Sequence, residues 1–145
     1  MSIHYDYISP YCEQNFGYSV DELSPNARLW QSRIHPEDWT DIVKPTLQAI
    51  LDHRGCSTHV MEYRFHRKDE SICWILANCS ARWDQTCWQM TIVDTDISDR
   101  KKAESQLQNL ITGTAAITGP DFFPVLVSHI AQALNVSHVF VTEYH

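Results

Sequence analysis

The chain has 145 residues, a formal charge of −7 and 43% hydrophobic residues, which is enough apolar material for a packed core. The negative charge argues against a nucleic-acid-binding surface. No run approaches the roughly 20 apolar residues of a membrane span and no signal pattern opens the chain, so we expect a cytoplasmic protein without a membrane partner.

Short elements are predicted at the start of the chain. Residues 3–9 alternate in polarity as a β-strand does. Pro10 is suited to open a helical turn and Gly17 to end it, and residues 19–22 have the capping-box pattern of another helix start. Residues 24–32 are predicted to form a connector.

The longest predicted helix opens at Pro36, with two acidic residues in its first turn, and is ended by Gly55. Its apolar face is formed by Trp39, Ile42, Val43, Leu47, Ile50 and Leu51. Pro45 interrupts this pattern. It should kink or restart the helix, because it lacks a backbone donor and disfavours the helical conformation at Lys44.

Three β-rich segments follow, at about residues 58–66, 71–83 and 87–95. The short gaps between them predict antiparallel hairpins. The last segment turns directly into a charged helix, where Ser98 is placed to accept a hydrogen bond from a free backbone N–H. A helix continuous with the last strand can carry a distortion of the sheet out of the domain.

Composition changes after this helix. Residues 112–119 are small and polar, as in linkers. Residues 121–134 have the apolar spacing of an amphipathic helix, and residues 136–144 are strand-like.

Four stretches, in order, resemble the PAS family of sensor domains. Residues 7–19 resemble its second strand and short helices, residues 34–38 its His-Pro-x-Asp helix start, residues 62–69 with Trp74 its central hairpin, and residues 96–101 its closing Asp-Ile-Thr-x-Arg-Lys signature. The resemblance covers roughly residues 5–108. It implies an α+β fold, in which an antiparallel sheet carries short helices on one face and ends in a connector helix.

The family pattern also implies departures in this chain. PAS domains begin with a central strand before the one predicted at residues 3–9, and none precedes it here, so we expect a fragment of a larger protein. The family usually has Gly where this chain has Glu70, which predicts a wider loop or a strained Glu70. We expect Asp96 to pair with Arg64 or Arg82.

Residues 119–143 resemble the opening helix and first strand of a GAF domain. The predicted domains are therefore a PAS-like sensor at residues 1–98, a connector helix and linker at 99–118, and a GAF-like fragment at 119–145.

The resemblance places any ligand between the long helix and the sheet. The predicted pocket residues are Trp39, Val43, Leu47, Tyr63, Phe65, Met90 and Ile92. A filled core without a ligand is an equally good interpretation. The predicted signal relay is formed by Asp96, Ile97, Ser98 and Arg100.

No catalytic or metal site is predicted. The chain has no Gly-x-Ser-x-Gly elbow, phosphate loop or His-Glu-x-x-His motif, and its five cysteines, an odd number, include no pair with zinc spacing. A haem-ligating histidine of PAS proteins usually lies on or near the long helix, so the resemblance makes His35 and His53 the candidates for haem ligation. The Asn-Cys-Arg motif of flavin photochemistry is absent, since Glu13 follows Cys12 and Ser57 follows Cys56. We therefore expect no cofactor.

The resemblance to PAS domains implies a sensory input and signal-relay module of a bacterial signalling protein. By resemblance, its parent is a two-component sensor histidine kinase or a cyclic-dinucleotide enzyme, and the fragment itself is not an enzyme. The alternatives are a haem- or flavin-bearing sensor and a ligand-free dimerisation module. We expect a homodimer, held by helix packing and by residues 136–144 filling an open sheet edge.

Overall fold

A three-stranded antiparallel sheet carries the first part of the chain. This computed structural model describes residues 4–53, 55–115 and 122–134. The strands, in the order β1-β2-β3, are β1 (Cys56–His66), β2 (Ile72–Trp83) and β3 (Trp88–Asp96). The predicted hairpins are confirmed, with strand ends within two residues of those expected.

One face of this sheet is the core face. Tyr63 and Phe65 of β1 are buried on it, and Tyr63 lies opposite Ile75 of β2. Alternate residues of β2 are buried on the same face, namely Cys73, Ile75, Ala77, Cys79 and Ala81. The burial of β2 thus identifies the inward face, which strand periodicity alone leaves undecided.

Three short helices precede the sheet, namely α1 (Tyr11–Phe16), α2 (Val20–Leu23) and α3 (Ala27–Arg33). Gly17 ends α1 with a φ of 82°, which glycine adopts without strain. A Cβ at this position would lie 2.9 Å from the Lys68 Cβ. The Ser19 N–H donates to the Glu22 carboxylate at 3.0 Å, which confirms the predicted capping interaction.

The predicted connector at residues 24–32 is wrong, because α3 occupies most of it. Leu29 and Trp30 pack against the core from this helix. The Trp30 ring centroid lies 4.2 Å from that of Phe65. Burial of these two side chains favours a helix where the local sequence carries no clear helical period.

The long helix spans residues 36–52 in three segments, namely α4 (Pro36–Asp38), a π-helical segment (Trp39–Val43) and α5 (Lys44–Asp52). The Lys44 N–H donates to the Trp39 carbonyl, which closes a π turn just before Pro45. The predicted restart of the helix at Pro45 is confirmed. The predicted exclusion of Lys44 from helical conformation is wrong, since its φ is −61°. The wider π turn gives room to the proline ring, which would otherwise clash with the preceding turn.

The strand predicted at residues 3–9 is not formed in its described part, residues 4–9. A strand is stable only beside a hydrogen-bonding neighbour, and within the described residues β3 pairs with β2 alone. Ile8 packs against the core while Tyr7 is 79% exposed. Burial in this irregular segment therefore does not follow the predicted alternation, in which Tyr7 would face the core and Ile8 would not.

The turn between β1 and β2 contains a strained residue. Glu70 has a φ of 66°, so of the two expectations the strained Glu70 is confirmed. Asp69 accepts a hydrogen bond from the Ser71 N–H at 2.9 Å, as in an Asx turn. The Glu70 carboxylate lies 2.8 Å from the Arg33 guanidinium. These contacts hold the turn in its strained conformation.

The chain divides into two compact units, Met1–Ser98 and Asp99–His145. Helix α6 (Ser98–Ala115) begins at the boundary and α7 (Phe122–Leu134) lies in the second unit. Because α6 continues through Ala115, the linker predicted at residues 112–119 starts too early. The strand predicted at residues 136–144 lies outside the described residues. No helix in the described ranges is long and apolar enough to cross a membrane.

Candidate functional site

The predicted pocket residues surround one core. Val43, Tyr63 and Phe65 are buried in it, and Ile92 is 49% exposed at its margin. The other three are partly buried against the same core, namely Trp39, Leu47 and Met90. The structure therefore brings six of the seven predicted side chains together and leaves Ile92 outside their cluster, while occupation of the region by a ligand stays a prediction.

Aromatic rings fill the core around Phe65. Its ring centroid lies 5.6 Å from that of Phe16 and 4.2 Å from that of Trp30. Tyr18 adds an edge-on contact at 6.3 Å. Such packing makes the Phe65 end of the predicted pocket a filled core.

Two surface depressions are open to solvent. One has a volume of about 440 Å³ and lies at the start of β1, between Thr58, Arg82 and Gln89. The other, of about 350 Å³, lies between α3 and the start of the long helix, beside Trp39. Trp39 is the one predicted pocket residue that lines either depression.

β3 supplies the open part of the core face. Three of its residues lie opposite small buried residues of β2, and the pairs are Met90 with Ala81, Ile92 with Cys79, and Asp94 with Ala77. The sequence analysis assigned Met90 and Ile92 to the pocket but missed Asp94. Strand periodicity could have found it, because alternate residues of a strand share a face.

Asp94 is linked to the core by a chain of two long hydrogen bonds. The Tyr63 hydroxyl donates to the Asp94 Oδ1 at 3.4 Å, and the Trp30 indole N–H donates to the Tyr63 oxygen at 3.4 Å. Burial raises the pKa of Asp94 to about 6, and the Tyr63 hydrogen bond opposes this only in part. Burial and the neighbouring Asp94 charge raise the pKa of Tyr63 as well.

Asp38 is held in a different way at the start of the long helix. Its carboxylate accepts from the Arg64 backbone N–H at 2.6 Å and from the guanidinium at 2.9 and 2.6 Å. Glu37 lies 2.8 Å from the same guanidinium. Hydrogen bonds from Arg64 outweigh burial and lower the pKa of Asp38. The predicted pairing of Arg64 with Asp96 is therefore wrong.

The nearest approach to a metal site within the described residues lies beside this pair. Ligand atoms of His35, Glu37 and Asp38 lie within 4.8 Å of one another. The Arg64 guanidinium already pairs with both carboxylates, so this cluster is explained as an ion-pair network without a metal ion. The His35 ring is stacked on that of His66, with 6.1 Å between the ring centroids.

The predicted relay residues meet the sheet at the end of β3. The Asp96 carboxylate pairs with the Arg67 guanidinium in the β1–β2 turn. Its other oxygen accepts from the Ser98 N–H at 2.8 Å, at the first residue of α6. Burial opposes ionisation of Asp96, but the hydrogen bonds from Ser98 and Arg67 prevail and lower its pKa.

Ile97 and Ser98 are bound to β2. The Ile97 N–H donates to the Trp74 carbonyl at 2.9 Å, and the Trp74 N–H donates to the Ser98 Oγ at 3.0 Å. The prediction that Ser98 caps α6 is therefore wrong, because its hydroxyl faces Trp74 and Asp96 serves as the acceptor. Arg100 pairs with Glu104 at 3.2 Å within α6.

Arg67 is the second functional candidate that the sequence analysis missed. Its guanidinium also donates to the Asn15 carbonyl at 3.0 Å, at the end of α1. Arg67 thus connects the first helix to the end of β3. In two consecutive antiparallel hairpins, the β1–β2 turn and the C-terminal end of β3 lie at the same end of the sheet. The predicted strand pairing could therefore have indicated that Arg67 lies near Asp96.

Comparison with known proteins agrees with this architecture. Residues 5–93 match the family described as PAS fold. No curated protein matches the chain. Among solved structures, the chain is similar to a sensory box histidine kinase/response regulator from Burkholderia thailandensis E264, with 28% identity, a TM-score of 0.61, and coverage of 77% of this chain and 82% of that one. Since the family match spans more than half of its residues, the chain belongs to the PAS family.

Proposed function

We propose that this chain is the sensory input and signal-relay module of a two-component sensor histidine kinase. The observation that carries the proposal is the position of Asp96, which joins Arg67 in the β1–β2 turn to the first residue of α6. A shift of the sheet would change these contacts and move the start of the helix. The kinase context rests on similarity to a protein titled a sensory box histidine kinase/response regulator.

We further infer that the signal is a small molecule bound on the core face. The open β3 part of this face supports the inference, since Ile92 is half exposed beside the small, buried Cys79. An apolar surface with one carboxylate, Asp94, has the composition of a small-molecule site. We propose no cofactor and no catalytic residue in this chain.

The domain boundaries belong to the same proposal. Residues 1–98 are the PAS domain, residues 99–118 a connector, and residues 119–145 the start of a GAF domain. The apolar spacing of α7 (Phe122–Leu134) supports the GAF assignment. Catalytic output would then lie in another domain of the protein.

We also propose that the protein is a cytoplasmic homodimer. Within the described residues, β3 pairs on one side only, and such an edge recruits another strand. A strand at residues 136–144, from the same chain or its partner, is the proposed occupant. Truncation after Ile111 should therefore lower the thermal stability of the domain or cause aggregation, whereas a monomer of unchanged stability would contradict the dimer proposal.

Asp96→Ala in the full-length protein tests the relay. The variant should change histidine autophosphorylation while the PAS domain remains folded, because Asp96 contacts both the turn and α6. Asp99→Ala is the matched control, since Asp99 is an exposed acid in the first turn of the same helix. Equal autophosphorylation in wild type and Asp96→Ala, with equal stability, would contradict the relay.

A further inference from the structure

The core face of β3 is apolar but incompletely covered. Ile92 stands opposite the buried Cys79 and yet is 49% exposed. Met90, two residues before it on the same face, is partly buried against the core. Ala77, Cys79 and Ala81 on β2 are at most 3% exposed, so the accessible part of this face is formed by the β3 side chains themselves. A shallow apolar surface results, with Asp94 at one end.

Asp94 lies on this surface without a positively charged partner among the described residues. Its one hydrogen bond there is the 3.4 Å contact from the Tyr63 hydroxyl to the Oδ1. Asp38 and Asp96, by contrast, each meet a guanidinium, from Arg64 and Arg67 respectively. A carboxylate removed from water without a cation costs free energy, and a bound cation would recover it.

The groups around Asp94 are suited to an organic cation. Tyr63 faces it from β1 and Cys79 from β2, and the charge of Asp94 raises the pKa of each, after burial. Tyr5 of the segment before α1 is affected in the same way. All three side chains are neutral at pH 7. Among these described groups, Asp94 therefore carries the one charge.

We propose that the core face of β3 binds a small organic cation, with a primary ammonium or guanidinium group on Asp94 and an apolar body against Ile92 and Met90 of the same strand. This inference deepens the proposed small-molecule signal and rests on it. An anion is disfavoured, because Asp94 and the net charge of −7 would both repel it. A neutral apolar ligand would leave the Asp94 carboxylate buried and unpaired.

Pentylammonium is a suitable probe, with 1-pentanol and pentanoate as neutral and anionic analogues of the same length. In isothermal titration of the 145-residue chain at pH 7.5, pentylammonium should bind, and the two analogues should bind at least about tenfold more weakly. Asp94→Asn should weaken pentylammonium by about tenfold, whereas Asp41→Asn, which removes an exposed carboxylate on the π-helical segment, should not. Binding should be lost as the pH falls through the pKa of Asp94, since only the ionised carboxylate attracts the cation.

A measurement on the unmodified chain avoids any folding defect of the variant. The pKa of Asp94, followed by NMR of its carboxyl carbon, should fall when pentylammonium saturates the protein and should not respond to 1-pentanol. No pentylammonium binding at millimolar concentration, equal binding of 1-pentanol, unchanged binding to Asp94→Asn, or an unchanged Asp94 pKa would each overturn the proposal. These results do not depend on the Asp96→Ala experiment, so a failed ligand and a failed relay are distinguishable.

Discussion

Two carboxylates of the PAS domain, Asp38 at the start of the long helix and Asp94 on β3, are removed from water in opposite ways. Asp38 is 6% exposed and receives three hydrogen bonds from Arg64. Asp94 is half-buried and receives one long hydrogen bond, from the neutral Tyr63. The pKa of Asp38 is lowered by Arg64, whereas burial raises that of Asp94 to about 6. Burial alone therefore does not tell whether an acid stabilises the fold or is available to a ligand.

Asp38→Ala should produce the largest loss of stability. The variant removes the acceptor of the Arg64 backbone N–H. Among the described residues, the Arg64 guanidinium then keeps one carboxylate partner, Glu37. We expect the free energy of unfolding to fall by about 3 kcal/mol in urea titration. Glu37→Ala is the control, since Glu37 is 70% exposed and its removal should matter far less. Equal losses in the two variants would show that burial of Asp38 is not the decisive difference.

Asp94→Asn should increase the free energy of unfolding, in contrast to Asp38→Ala. Because the folded state holds its proton more tightly than the unfolded chain, Asp94 contributes stability below its ordinary pKa of 3.8, and this contribution is lost as the pH rises through about 6. The variant lacks this pH dependence. At pH 7.5 it should therefore be more stable than wild type by about 2 kcal/mol in urea titration. A variant less stable than wild type at pH 7.5 would contradict the destabilising burial of the Asp94 carboxylate.

Arg67→Met tests whether the ion pair of Asp96 secures α6. Loss of the guanidinium leaves Asp96 without its ion pair and frees the end of α1. Amide hydrogen exchange at the first turn of α6 should become about fivefold faster. Lys68→Met is the matched control. It removes a positive charge from the same turn, but Lys68 pairs with Glu22 instead of Asp96. The same exchange rate in both variants would assign the effect to the turn rather than to Asp96.

Glu70→Gly should have the smallest effect. Glycine adopts the φ of 66° without strain, but the variant also loses the ion pair with Arg33. We expect a net gain of about 0.5 kcal/mol in the free energy of unfolding. Glu70→Ala removes the ion pair and keeps the strain, so it should be less stable than wild type. If Glu70→Gly is also less stable, the contact with Arg33 outweighs the backbone strain.

The sequence predicted the elements whose local patterns are strong. β-Rich composition with short gaps placed β1, β2 and β3, and the glutamate that replaces the family's usual glycine in the turn predicted either a wider loop or the strain found at Glu70. Helix α3 was missed because it is stabilised by the contact of Trp30 with Phe65, which lie 35 positions apart. The strand expected at residues 3–9 depended on a neighbour that the described residues do not provide.

The candidate site was predicted less completely, because its charges depend on pairing across strands. Arg64 was expected at Asp96 but lies against Asp38, on an element 26 positions earlier. Which arginine reaches which acid depends on side-chain reach in the folded domain, and several choices were compatible with the sequence. Asp94 shares the strand periodicity of Met90 and Ile92, so its position was predictable, whereas its lack of a cation among the described residues was not.

A double-mutant cycle on Arg67 and Asp96 tests the proposed relay most directly. Histidine autophosphorylation of the full-length protein would be measured for wild type, Arg67→Met, Asp96→Ala and the double variant, with thermal unfolding of each as a check on folding. If the signal passes through their contact, each single variant should change autophosphorylation and the double variant should match Asp96→Ala. Additive effects of the two substitutions, or unchanged autophosphorylation in all of the folded variants, would contradict the relay.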